Sequence, residues 1–215
     1  MNTQPTGQRR PYRAPGRAQA AADTRASVLE SALRLFVDRG YGKVTVADIA
    51  REAGTAVPTV YASTGGKSSI LAHLISEGIG DPIVERTLAT VNACSDPREV
   101  VAAVTHGVRL DNERHFALVQ VLVTAAALED TAGETLTRAD RAYREALHVV
   151  AERLDHLGAL RPALAGDRAT DVLWFFLGHR SWRLYVADRG WSWDDTEEWL
   201  TGQLSFAVLS EGPAG

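Results

Sequence analysis

Between Leu35 and Ile75 the apolar residues come in short bursts at helical spacing, and glycine closes each burst: Gly40, Gly54 and the pair Gly65-Gly66. Glycine enters left-handed backbone conformations at no steric cost, so it is the natural stop after a helix. This stretch is therefore limited to short helices joined by tight turns. Thr45 stands where an N-cap is wanted, and Asp48, three residues on, is a shortened capping-box partner. Val44 and Ile49 flank them as a hydrophobic staple. That helix ends at Ala53-Gly54. Val57-Pro58 begins the next, with Pro58 in the first turn, where its missing N–H costs nothing. Two short helices around a three-to-four-residue glycine turn are the pattern of a helix-turn-helix, in which the first helix braces the second.

The same periodicity runs through the rest of the chain. A helix opening at Asp23 or Thr24 has Val28, Leu29, Ala32, Leu33, Leu35 and Phe36 on one face and stops at Gly40. Lys67-Ser68 opens a fourth helix through Ile70, Leu71, Leu74 and Ile75. Further helices are expected at 82–94, 97–111, 113–129, 131–157, 167–189 and 194–210, with Gly133 and Gly158 as breaks. No segment sustains strand alternation, so the fold class is all-α. The expected organisation is a disordered basic arm at 1–20, a three-helix helix-turn-helix domain at 21–68 and a larger helical bundle at 69–215.

Composition narrows the function. Net charge is −4, but residues 1–70 hold 10 Lys/Arg against 5 Asp/Glu, and residues 71–215 hold 13 against 22. A basic N-terminal third on an acidic body suits a polyanionic partner for the first part only. The single Cys94 makes no internal disulfide and excludes a multi-cysteine zinc site. The six histidines (His73, His106, His115, His148, His156, His179) show no local metal spacing. No metal or cofactor is expected. Gly66-Lys67-Ser68 ends like a phosphate-binding loop, but Tyr61 stands where that motif needs glycine and no strand precedes it. The esterase and zinc-protease motifs are missing, so no catalytic residues are assigned. No apolar stretch is long enough to span a bilayer and no signal-like segment opens the chain, which leads us to expect a cytoplasmic protein with no membrane partner.

Thr45-Val46-Ala47-Asp48-Ile49-Ala50-Arg51-Glu52-Ala53-Gly54, followed by Thr59-Val60-Tyr61, Gly66-Lys67 and Leu71, resembles the DNA-binding domain of the TetR family of bacterial transcriptional regulators. Phe36-Val37-Asp38-Arg39-Gly40-Tyr41, ahead of it, fits as well. The resemblance implies a homodimeric regulator that binds a palindromic operator, usually as a repressor released by a small-molecule effector. It implies that Thr45 touches a DNA phosphate and that Thr55, Val57, Pro58 and Thr59 stand at the start of the recognition helix. It also implies that Tyr61 and Lys67 contact the phosphate backbone. Two features depart from the family. Ala56 replaces the usual serine cap, and residues 55–64 contain no Arg, Lys, Asn or Gln. Bidentate base readout is therefore absent from this helix. Selectivity falls to thymine-methyl contacts, hydroxyls, DNA shape and the arm carrying Arg9, Arg10, Arg13 and Arg17.

All five tryptophans lie in the second part of the chain. Polar candidates for an effector pocket there are His106, Arg109, Gln120, Tyr143, His179 and Trp182. Residues 171–186 are apolar around more than one helical face, and residues 195–209 supply a second such surface. In the resembled family the last two long helices, here about 167–210, form the dimer interface. The alternative is a helical small-molecule carrier or enzyme whose helix-turn-helix is only structural; it would need a polar catalytic cluster.

Overall fold

The computed structural model describes residues 15–164 and 167–210. Among them secondary structure is helical throughout, apart from an isolated antiparallel bridge between Leu160 and Leu209. The helices are α1 (Pro15–Arg39), α2 (Val46–Glu52), α3 (Val57–Thr64), α4 (Lys67–Ile79), α5 (Pro82–Ala93), α6 (Pro97–Ala126), α7 (Asp130–His156), α8 (Arg168–Leu177), α9 (His179–Trp182) and α10 (Trp193–Val208). A 3-10 turn, Tyr41–Lys43, follows α1, and a π-helical stretch, Arg183–Asp188, continues α9.

Several boundaries differ from the sequence expectation, each for a local reason. α1 starts at Pro15, upstream of Asp23. Ala18 and Ala20–Ala22 are exposed, so this first part is carried by alanine's helix propensity and a Gln19–Asp23 side-chain bond of 2.8 Å rather than by burial. Residues 15–20 of the expected arm are therefore helical, and residues 1–14 lie outside the described residues. The helices expected at 97–111 and 113–129 are one helix, α6. Asn112 stays inside it because its amide donates to the Val108 carbonyl at 2.9 Å, which satisfies a polar side chain without breaking the ladder. Gly133 sits in the first turn of α7 rather than ending anything. The span 167–189 is broken at Gly178, whose extended backbone (ψ 153°) ends α8.

Two apolar clusters organise the molecule. The first joins α1–α4 to the C-terminal half of α6 and the start of α7, with Phe36, Tyr41, Ile49, Val60, Ile70 and Leu122 almost fully buried. The second joins α5, the first half of α6, the end of α7, α8, α9 and α10 around Val104, Leu154, Leu173, Trp182 and Leu204. α4 links them. Its N-terminal turns pack in the first cluster, and its last turn reaches the space between α5, α6 and α7.

Candidate functional site

The helix-turn-helix is set by local chemistry. Thr45 Oγ1 accepts from the Asp48 amide at 3.1 Å, and the Asp48 carboxylate accepts from the Thr45 amide at 3.1 Å and hydroxyl at 2.6 Å. These bonds, the Thr45 hydroxyl first, pull Asp48 down to about 2. Val44 and Ile49, the expected staple, are both buried in the first cluster. Gly54 takes φ 64°, and Thr55 then returns an amide hydrogen bond to Ala50 at 2.9 Å, which fixes the turn into α3. α3 starts with no side-chain cap on Ala56 and with Pro58 in its first turn, as the sequence implies.

One face of α3 is nailed down. Val60 is fully buried, Thr64 bonds back to the Val60 carbonyl, and Arg25 of α1 donates to the Ser63 carbonyl at 3.2 Å. The opposite face presents Val57, Pro58, Thr59, Tyr61 and Ala62 to solvent, with Tyr61 55% exposed. Thr45 is also exposed, and Thr55 is half-buried in the turn. The exposed α3 side chains form an outward surface, as a groove-binding helix requires. Lys67 does not join them. Its Nζ donates to the Tyr41 carbonyl at 3.1 Å, lies 4.1 Å from the centre of the Tyr41 ring and stands 3.7 Å from Glu129. The expected phosphate contact of Lys67 is corrected on this point: the side chain is turned inward. Arg9, Arg10 and Arg13 lie outside the described residues, as does the Arg17 side chain.

Lys67 belongs to a polar junction that sequence reasoning missed. Glu129, in the turn between α6 and α7, accepts from Tyr41 Oη at 2.9 Å and Ser68 Oγ at 2.6 Å. The Ser68 hydroxyl, then Tyr41 and Lys67, hold its carboxyl below the ordinary value, while burial pushes the Tyr41 phenol up to about 12. The junction pins the helix-turn-helix to the larger bundle.

In the bundle, a cavity of about 180 Å³ lies between α4, α5, α6, α7 and α8, largely apolar. Of the six expected pocket residues, Tyr143 and His179 line it. Tyr143 is half-buried, and its hydroxyl donates to the Leu177 carbonyl at 2.9 Å. His179 lies 3.9 Å from Asp140, and burial first of all lowers its pKa below the ordinary histidine value. The other four are corrected. His106 and Arg109 sit on the face of α6 turned to α10, where both bind Glu197 (2.9 and 3.1 Å) and Arg109 also reaches Asp194 at 2.8 Å. Gln120 lies off the lining, with its Nε2 buried and unbonded among the described residues. Trp182 is a fully buried core residue stacked on Trp193 at 5.7 Å. The reason is helical phase: the lining stripe of α6 runs Val104, Val108, Asp111, Asn112, His115, Leu118 and Leu122. The sequence signal for the lining is a polar residue falling on that apolar stripe, as Asp111 and His115 do. Gly107 lets α5 approach below the cavity, since a methyl group there would overlap the Thr87 hydroxyl.

No helix among the described residues is long and apolar enough to cross a membrane. Residues 28–74 match the family model described as bacterial regulatory proteins, tetR family. An uncharacterised HTH-type transcriptional regulator of Mycobacterium tuberculosis is 34% identical over 111 residues, which cover 48% of this chain and 56% of that protein. The chain spans about half the length of the relatives it matches in sequence. Among solved structures, NalD, the secondary repressor of the MexAB-OprM multidrug efflux pump in Pseudomonas aeruginosa, superposes with a TM-score of 0.70 at 20% identity, over 90% of this chain and all of that one. The fatty acid degradation regulator FadR from Bacillus halodurans gives 0.69 at 16% identity, over 84% of this chain and 94% of that one. The helix-turn-helix geometry and its matching sequence agree: residues 28–74 form a DNA-binding domain of the kind described for the tetR family of bacterial regulatory proteins, and the helical bundle behind it has the fold of the solved regulators.

Proposed function

We propose that this protein is a DNA-binding transcriptional repressor that grips a palindromic operator as a homodimer and releases it when a small molecule fills the cavity. The observation that carries this reading is the exposed, rigidly backed face of α3 in a helix-turn-helix whose first helix is capped by an exposed Thr45. Thr59 and Tyr61 supply hydroxyls for phosphates, Thr45 presents the capped head of α2 to the DNA backbone, and Val57, Pro58 and Thr59 supply methyl and methylene surface for thymine. NalD, whose fold this chain shares, is itself a repressor.

The dimer reading rests on apolar side chains that a monomer leaves in water. Phe175 on α8 and Phe206 on α10 are 71% and 72% exposed, and Leu184, Trp191 and Trp199 are also exposed. Exposed apolar area of this kind marks a contact surface. A two-fold dimer places its recognition helices against half-sites about 34 Å, or a multiple of it, apart. Coupling runs along α4, which starts at the Glu129 junction beside the helix-turn-helix and ends with Ile75, Gly78 and Ile79 in the cavity wall.

The test is fluorescence anisotropy of a labelled duplex from upstream of the protein's own gene. Binding should be tight at low salt and fall steeply as salt rises, because phosphate contacts release counterions. No binding at low salt sinks the reading.

A further inference from the structure

The charged groups in the cavity are of one kind. Asp111 and Asp140 line it, together with His115 and His179, and neither a lysine nor an arginine is among the lining residues. Asp111 is only 22% exposed and lies 3.8 Å from His115 Nε2; Asp140, at the rim, is 36% exposed and lies 3.9 Å from His179 Nδ1. Both separations exceed hydrogen-bonding distance. The carboxylates thus face apolar walls with cationic groups in range (His115 and Arg114 for Asp111, His179 and Arg180 for Asp140) but none hydrogen-bonded to them, an arrangement that costs stability unless a partner supplies the charge. Burial is the first cause in raising the pKa of both carboxyls and in lowering that of His179, which favours the neutral imidazole and weakens it as a counter-charge to Asp140. Tyr143 and Trp174 meet edge to face at 5.3 Å and both line the cavity. The Tyr143 hydroxyl is already spent on Leu177, so that residue offers its ring. An aromatic face attracts a cation and gives nothing to a carboxylate.

We propose that the cavity binds a hydrophobic organic cation, a primary to quaternary amine with an apolar body, with Asp111 and Asp140 as counter-ions and Tyr143 and Trp174 as aromatic walls. The apolar remainder of the ligand fills the space between α4, α5 and α7 around Ile75, Val104, Leu122 and Leu147. An acidic effector is disfavoured by two carboxylates and by the lack of any basic side chain in the lining. This assignment rests on the repressor reading only for its consequence on DNA; the binding itself stands apart from it.

The experiment uses the full chain and three probes with one apolar body and different heads: 4-phenylbutylammonium, 4-phenylbutanol and 4-phenylbutyrate, each titrated calorimetrically. The ammonium should bind about tenfold or more tighter than the alcohol, the scale of a charge-assisted contact, and the carboxylate more weakly than either. Asp111→Asn and Asp140→Asn should each erase most of the ammonium's advantage while leaving the alcohol's affinity in place, which also certifies that the variants are folded. Equal or tighter binding of the alcohol or the carboxylate to the native chain overturns the proposal, as does an unchanged preference in both variants. Operator anisotropy with and without the ammonium then separates the two readings. Ammonium binding with no change at the operator keeps the cation site and refutes the coupling. Absence of operator binding under any condition refutes the repressor and leaves the site standing.

Discussion

Thr45 and Asp48 hold the head of α2 through three mutual hydrogen bonds, two of them to main-chain amides. Thr45→Ala removes the cap and should cost about 1 kcal/mol, seen in scanning calorimetry as a melting point lower by about 2–4 °C. Operator affinity should fall with it, because α2 packs against α3 and braces the helix offered to DNA. Asp111 predicts the opposite sign. Burial raises its folded-state pKa, so the charged form opposes folding at neutral pH, and the penalty is relieved as the pH falls through the folded value. Asp111→Asn should therefore raise the melting point at pH 7, and its advantage over the native chain should shrink on acidification. A variant that melts lower at pH 7 would contradict this. The cap was legible in the sequence because its partners are three residues apart. Asp111 was not, because its burial depends on how α6 is rotated against α5 and α7, and no local pattern fixes that angle.

At the level of elements, α4 and the Glu129 junction join the helix-turn-helix to the cavity wall, the route proposed for coupling. Glu129→Ala leaves Tyr41 Oη and Ser68 Oγ without their shared acceptor and Lys67 without its carboxylate. Loss of such a part-buried acceptor costs on the order of 1–3 kcal/mol. Thermal unfolding should start earlier, and the ratio of operator affinities without and with effector should move toward one. If that ratio is unchanged in anisotropy titrations, the junction is a structural rivet only. The helix-turn-helix elements were readable from Gly40, Gly54 and Gly65, whose positive φ values of 83°, 64° and 79° are what the turns need. The junction was hidden because Tyr41 and Glu129 are 88 residues apart in sequence. The break at Gly178 was hidden too, inside a stretch that is apolar on several faces.

For the whole molecule, the exposed phenylalanines make a prediction about assembly. Replacing Phe175 and Phe206 together by Ser removes large apolar groups that are mostly in solvent within one subunit. The helical circular dichroism should be kept. Sedimentation velocity should show the dimer giving way to monomer, and operator affinity should drop because half-sites are then bound singly. A dimer that persists unchanged would move the interface elsewhere. The two-part plan of the chain was visible in its charge asymmetry, but the sharing of α6 and α7 between both apolar clusters was not, since a boundary drawn after residue 68 follows the motif and not the packing.

The surface that α3 offers is made of short side chains: Val57, Pro58, Thr59 and Ala62 around the single ring of Tyr61. Their backbone is fixed from behind by Val60, Thr64 and Arg25. Scaffold and surface are thus separable, and the surface is close to a blank page. One exchange at Thr59 or Ala62 for asparagine, glutamine or arginine would write a base preference there without disturbing a buried atom. If the helix enters DNA as proposed, single mutational steps there suffice to change the sequence it prefers, in nature or by design.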